Sequence, residues 1–152
     1  MGIGPNIRKT WDGLDVSEYP PYGVGIVVYK IRDGSIYYLI LRRSWKNQGD
    51  NWEWGPPGGA RLPGEKIEDC MKRELYEETG LKKSAVLTEI GDKTWFVYCL
   101  QIKRGTNIIL SSEHDQFMWA PLEKAIEKCS PDLIKRQIKQ ADEFIKAYMI
   151  KR

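Results

Sequence analysis

The 152-residue chain has one histidine and three cysteines, and nothing in it approaches a membrane-spanning length. Long apolar stretches such as Gly23-Val24-Gly25-Ile26-Val27-Val28-Tyr29 fall far short of the ~20 residues that a helix needs to cross a bilayer. No membrane partner is therefore expected. Cys70, Cys99 and Cys129 are odd in number, widely spaced and lack CxxC geometry, which argues against a disulfide framework and a zinc site. They read as reduced thiols, and the expected compartment is the cytoplasm. The opening residues, Met1 to Asn6, show no basic-then-apolar pattern, and Asn6 stands where a myristoylation signal needs Ser or Thr. Neither export nor a lipid anchor is expected. Repeats and low-complexity runs are also missing.

One sign of charge hardly dominates. Lys and Arg number 24 against 21 Asp and Glu, a surplus of +3. That is no nucleic-acid footprint, so no nucleic-acid partner is expected, but it suits a small anionic ligand. Apolar residues make up 41% and charged residues 30%, the composition of a folded domain rather than a disordered tail. The length is that of one domain able to bury its own core.

Residues 1–21 read as an irregular arm, and residues 22–152 as a single domain. Val24 to Ile31 and Ile36 to Leu41 flank Asp33-Gly34, a hairpin signature. The second strand is apolar on both faces, as expected of a strand covered on both sides. Residues 44–64 are dense in Gly and Pro and read as a long loop of the kind that carries function. A helix is expected from about Lys66 to Thr79, stopped by Gly80. Further strands are expected at Ala85–Ile90, Thr94–Ile102, Ile108–Leu110 and Phe117–Ala120. A short helix follows Pro121, over Leu122–Lys128. A last helix opens at Pro131, with Leu133, Ile134, Ile138, Ala141, Ile145 and Met149 at helical spacing. The fold class implied is α+β, with layers of helix around a mixed sheet.

The helix after the Gly-Pro loop carries an anomaly. On a helical wheel Ile67, Cys70, Met71 and Leu75 define the core-facing arc. Glu74 and Glu78 project into that same arc, and Glu77 lies at its border. Most charge runs are solvated faces. This one fits that pattern badly, because an unpaired buried carboxylate costs several kcal/mol, roughly, and three together need a counter-charge. Arg73 can pair with Glu77 at i,i+4, yet one cation cannot neutralise the group. A divalent cation can, and clustered oxygen ligands suit Mg²⁺ or Mn²⁺. In the adjacent loop, Gly58 and Gly59 permit unusual backbone angles and close approach of a ligand.

Residues 59–81 match Gly-x5-Glu-x7-Arg-Glu-U-x-Glu-Glu-x-Gly-U at every specified position, U being a bulky aliphatic residue. The matching residues are Gly59, Glu65, Arg73, Glu74, Leu75, Glu77, Glu78, Gly80 and Leu81. Ordinary residue frequencies give this by chance on the order of 10⁻⁹ times per starting position. The segment closely resembles the Nudix box of the Nudix hydrolase superfamily, with its MutT-like members. The resemblance implies an α/β/α sandwich around a mixed sheet and divalent-metal dependence. It also implies hydrolysis of a nucleoside diphosphate linked to another group, of the nucleoside triphosphate or dinucleoside polyphosphate type. It casts Glu74, Glu77 and Glu78 as metal and catalytic carboxylates and the carbonyl of Gly59 as a further ligand. Arg73 would orient a glutamate and Glu65 would steady the loop–helix junction. Downstream, Ser111 to Trp119 looks like the family's loop that supplies an acidic metal ligand or general base, with Glu113 preferred to Asp115. His114, the only histidine, reads equally well as a packing residue.

Substrate contacts are assigned more loosely. Arg43, Lys46 and Arg61 could meet terminal phosphates. Trp45, Trp52, Trp54 and Tyr22 lie near the loop, with Trp54 and Tyr22 chosen as stackers for a nucleobase, whereas Trp119 reads as core. Two alternatives stand beside the hydrolase. One is a nucleotide-sensing module without catalysis, against which the intact box argues. The other is an isomerase-like variant acting on isoprenoid diphosphates, for which Cys99 would be the strand cysteine. If the chain self-associates, a homodimer is the expected form.

Overall fold

The computed structural model describes residues 17–44 and 53–149. Most of the expected arm, residues 1–16, lies outside them, as do Trp45, Lys46 and Trp52. A hairpin leads: β1 (Gly23–Arg32) and β2 (Ser35–Arg43) pair antiparallel, Tyr29 opposite Tyr38, across a turn in which Asp33 and Gly34 both take positive φ. The Gly-Pro stretch holds two short strands, β3 (Trp54–Gly55) and β4 (Gly58–Ala60), before helix α1 (Ile67–Thr79). Then come β5 (Val86–Gly91), β6 (Trp95–Gln101), β7 (His114–Ala120), α2 (Leu122–Lys128) and α3 (Asp132–Phe144).

The seven strands form one mixed sheet. Its main order is β3-β2-β1-β6-β5, with β4 added to β1 and β7 to β2. The β1–β6 pair is parallel and the remaining pairs are antiparallel. Period-2 alternation divides the strands between two cores. Val24, Ile26, Val28, Leu39 and Leu41 meet Cys70, Met71 and Leu75 of α1. Val27, Tyr29, Tyr38 and Ile40 meet Ala125 of α2 and Ile138 and Ala141 of α3. The α/β/α layering follows from that split, because each central strand is apolar on both faces. Among the described residues no helix is long and apolar enough to cross a membrane.

Three expectations need correction. Ile108–Leu110 forms no strand. Its alternation is real, since Ile108 and Leu110 pack on the α1-side core while Ile109 is exposed, but it lies beside the end of α1. The Ile109 N–H is taken by the carbonyl of Thr79 at 2.9 Å instead of by a ladder. The Gly-Pro stretch is not loop throughout, since β4 adds to β1 through Val24 opposite Gly59. The last helix changes at Ile145 into a π-helical turn over Ile145–Met149.

Candidate active site

Helix α1 turns Cys70, Met71 and Leu75 into the core with no more than 1% exposure. The same geometry carries Glu74 and Glu78, at +3 and +7 from Met71, inward to 9% and 5% exposure. Glu77 stays at the rim with an exposed side chain. Gly80 ends the helix in the left-handed region at φ 78°, its N–H bonded to the Tyr76 carbonyl.

The loop strands fit against these carboxylates closely. A Cβ on Gly59 would fall on the carboxyl group of Glu74, and a Cβ on Gly58 would fall on the Val24 carbonyl. Only Gly58 takes a positive φ, so Gly59 is required by close approach rather than by backbone angle. The Gly58 N–H donates to Glu78 Oε1 at 3.0 Å.

Arg73 is the hub of the cluster. Its guanidinium holds both Glu65 oxygens at 2.8 and 3.0 Å, Glu74 Oε2 at 3.1 Å, Glu77 Oε1 at 3.2 Å and the Ala60 carbonyl at 2.9 Å. Glu65 also accepts the Leu62 N–H, which pins the loop to the helix start. One cation is thus divided among three carboxylates. Partial burial of Glu65 works to raise its pKa, but the hydrogen bonds from Arg73 and Leu62 outweigh that and hold it low. Arg73 is raised, first through its hydrogen bonds to Glu65.

The other two buried carboxylates are not satisfied in this way. Burial pushes Glu74 up to about 7, with Glu77 and Glu113 adding to the shift and Arg73 opposing it. Glu78 is raised well above the carboxylate range by burial and then by Glu74, with the Gly58 N–H as its opposing contact. Ligand atoms of Glu78, Glu113 and His114 lie within 4.8 Å of one another. His114 Nδ1 is buried with no hydrogen-bond partner among the described residues. Burial, then the nearby Arg43, lowers His114 to about 4, against a pull from Asp115, so its imidazole is neutral near neutral pH and offers one unprotonated nitrogen as a ligand. This donor set fits a divalent cation. It combines carboxylate oxygens with one imidazole.

The cluster opens into a cavity of about 530 Å³, lined also by Arg43 and Trp54. Four sequence-derived choices lie elsewhere. Asp115 is exposed and 3.9 Å from Arg42, off the cavity. Arg61 turns away and donates to the carbonyls of Tyr19, Pro21 and Glu65 at 2.7 Å each, which ties the arm to the loop. Tyr22 is fastened through its backbone to Thr94 and Arg61 and does not line the cavity. Cys99, with a thiol pushed up to about 12 by burial, sits in the α3-side core. Trp119 packs partly buried against the α1-side core, with the Lys30 ammonium 4.4 Å from its ring.

Trp95 and Gln137 also line the cavity, and the sequence reading passed over both. Gln137 had a signal. It is one position before Ile138 and three after Ile134, a polar residue inside the apolar stripe of α3, the same anomaly that marks Glu74 and Glu78 on α1.

An RNA pyrophosphohydrolase of Pectobacterium carotovorum is 34% identical over 87 residues, covering 57% of this chain and 44% of that protein. The chain thus spans a little under half the length of that relative. An asymmetrical bis(5'-nucleosyl)-tetraphosphatase of Rattus norvegicus is 26% identical over 132 residues, covering 78% of this chain and 87% of that one. Among solved structures, a Caenorhabditis elegans Ap4A hydrolase binary complex superposes with a TM-score of 0.68 at 23% identity, over 83% of this chain and 99% of that one. A MutT protein of Methanosarcina mazei gives 0.60 at 26% identity, over 82% and 94%. The family model described as the NUDIX domain matches residues 20–147, and this chain belongs to that family.

Proposed function

We propose that this chain is a divalent-cation-dependent hydrolase of a phosphoanhydride bond in a nucleoside diphosphate linked to a further group. In this reading residues 22–152 act as one domain. The observation that carries the proposal is the pair of buried carboxylates, Glu74 and Glu78, left short of positive charge where Glu113 and His114 converge at a cavity mouth. The names of the curated relatives, a pyrophosphohydrolase and a tetraphosphatase, support the same bond class.

Glu74, Glu78 and Glu113 would hold the cation, Mg²⁺ or Mn²⁺, with His114, the rim carboxylate of Glu77 and the Gly59 carbonyl as further donors. Bound there, it would neutralise phosphate oxygens and lower the pKa of a bound water. The chain's own residues do the rest. Arg73 fixes the carboxylates of Glu74 and Glu77, and the Gly58 N–H fixes Glu78, so the anionic site is set before substrate arrives. Glu113, carried on the loop before β7, is the proton acceptor in this scheme. Arg43, on the cavity wall, meets substrate phosphate.

A product-resolved panel tests the proposal: nucleoside triphosphates, ADP-ribose, nucleotide sugars and diadenosine polyphosphates, each with Mg²⁺, with Mn²⁺ and after chelation. The relatives' name puts a 5'-triphosphorylated oligoribonucleotide in the same panel. Phosphoanhydride cleavage that chelation abolishes and metal restores is expected. Nucleotide binding without cleavage of any compound would overturn it in favour of the sensing module. The isomerase alternative is disfavoured because Cys99 does not line the cavity.

A further inference from the structure

Glu74 and Glu78 are placed by a helix, but the acid that joins them from the other side comes from a turn. Glu113 stands one residue before β7, and its carboxylate lies with ligand atoms of Glu78 and His114 inside 4.8 Å. The ladder between β2 and β7 breaks just there. Leu41 faces Phe117 and Arg42 faces Gln116, but Arg43 faces His114, so Asp115 is an extra residue in the strand. An unbroken ladder would set Asp115 opposite Arg43, and a slip of one residue exchanges the two faces of a strand. With the bulge, His114 lies on the cavity side with Leu41 and Arg43, while Asp115 turns to Arg42 at 3.9 Å. The bulge thus decides which of the two acids flanking His114 reaches Glu78.

A bulge disrupts the ladder locally, so the turn that precedes it needs other fastenings. Ser44, the residue after β2, supplies them from outside the cavity. Its N–H donates to the Glu113 carbonyl at 2.9 Å and its hydroxyl to the Ser112 carbonyl at 2.5 Å. Inside the turn, the Glu113 N–H donates to Ser111 Oγ and the His114 N–H to the Ser111 carbonyl, each at 3.2 Å. Ser44 itself is exposed and does not line the cavity. Hydrogen bonds open to water contribute little to global stability. These two instead grip the backbone on both sides of the peptide that leads into Glu113. We infer that Ser44 is a positioning residue, whose two bonds to the 112–113 backbone hold the bulged turn with Glu113, rather than Asp115, beside Glu78. This inference rests on the proposed function for what Glu113 does there, but the clamp is read without turnover.

The test compares the full chain with its Ser44→Ala, Ser44→Thr and Glu113→Gln variants and with the Ser44→Ala, Glu113→Gln pair. Mn²⁺ is titrated without substrate and followed by electron paramagnetic resonance. Ser44→Ala is expected to bind Mn²⁺ on the order of tenfold more weakly, as loss of a contact behind a metal ligand does, and to melt within about 2 °C of the parent. Ser44→Thr keeps the hydroxyl and should bind within about twofold of the parent. In the Glu113→Gln background, Ser44→Ala should cost no more than about twofold, because its effect passes through Glu113. Amide exchange reads the clamp without metal: Ser44→Ala should speed exchange at Glu113 and His114 on the order of tenfold and leave Tyr38 to Leu41 as they were. Ser44→Ala binding Mn²⁺ like the parent, Ser44→Thr failing to restore it, or two losses that simply multiply in the pair would overturn the inference. A parent that binds no Mn²⁺ but shows the exchange change keeps the clamp and loses the cation-dependent hydrolase. A parent that binds Mn²⁺, with exchange and affinity both untouched by Ser44→Ala, keeps the hydrolase and loses the clamp.

Discussion

Two buried carboxylates on opposite faces of the sheet show how differently one chain can treat the same group. Asp142 on α3, 5% exposed, accepts a short hydrogen bond from the Tyr38 hydroxyl and pairs with Lys146 at 3.0 Å. Glu78 on α1, also 5% exposed, has the Gly58 N–H and otherwise faces Glu74, Glu113 and His114. Burial is equal and compensation is not. A buried charge with its partners in place is a packing device, whereas one set beside further anions is, in the proposed function, the place where the cation is held.

Removing the charge should therefore have opposite consequences at the two sites. Glu78→Gln is expected to lower turnover by roughly two orders of magnitude or more, because the cation-holding set loses an anion. The metal-free variant should meanwhile melt no lower than its parent at pH 8, since an uncompensated buried charge has gone. Turnover within a few-fold of the parent in saturating Mg²⁺ would remove Glu78 from the mechanism. Glu77→Gln is expected to lower turnover by a similar factor, with less effect on melting, because that side chain is exposed.

Titration extends the contrast. Glu74 in the folded chain has a pKa of about 7, above the ordinary glutamate value, so the folded state binds the extra proton more tightly. Its contribution to stability is complete below the unfolded pKa of about 4.5 and is lost as pH rises through about 7. The metal-free chain should lose up to about 3 kcal/mol from this group over that window, Glu74→Gln should flatten the profile, and added Mg²⁺ should offset the loss at the alkaline end. Urea melts at half-unit pH steps check this. A profile that climbs between pH 5 and 7 in the metal-free chain, and is unchanged in Glu74→Gln, would contradict the electrostatics assigned to the cluster. On the opposite face, Asp142→Asn should cost about 1–3 kcal/mol, because the pairing with Lys146 goes and the Tyr38 hydroxyl keeps only a neutral acceptor, and kcat should stay within twofold. A rise in melting temperature there would erase the distinction between the two carboxylates.

Much of the α1 face was legible because a helix has a fixed period. Once Cys70, Met71 and Leu75 define an arc, Glu74 and Glu78 have nowhere else to point, and the two-sided apolar pattern of β2 likewise calls for a layer on each face. Gln137 carried the same kind of signal, but a neutral amide in an apolar stripe costs far less than a carboxylate and did not stand out. Ile108–Leu110 shows a different limit: alternation reports which side chains are buried, not whether a strand lies alongside to pair. Tertiary placement of long cations was the least legible. Arg61 stands two residues past Gly59, beside the Gly-Pro loop, yet its long, flexible side chain lets it reach backwards to carbonyls of the arm.

Arg61 and Arg43 supply the smallest and last of these contrasts, now between cations. Three backbone carbonyls occupy the guanidinium of Arg61, and the arm residue Ser17 bonds through its N–H to the Arg61 carbonyl at 2.7 Å. Arg61→Gln should therefore lower stability by roughly 1–2 kcal/mol, a shift of a few degrees in melting temperature, and loosen amide protection near Tyr22. Because Arg61 does not line the cavity, its KM should stay within twofold of the parent. Arg43 does line it, and Arg43→Gln should raise KM about tenfold through loss of a charge-assisted phosphate contact, with kcat less affected. Steady-state kinetics on the best substrate of the panel separates the two. If Arg61→Gln raised KM as much as Arg43→Gln, proximity to the Gly-Pro loop would count for more than the direction in which the guanidinium points, and substrate would have to reach past the cavity to the arm.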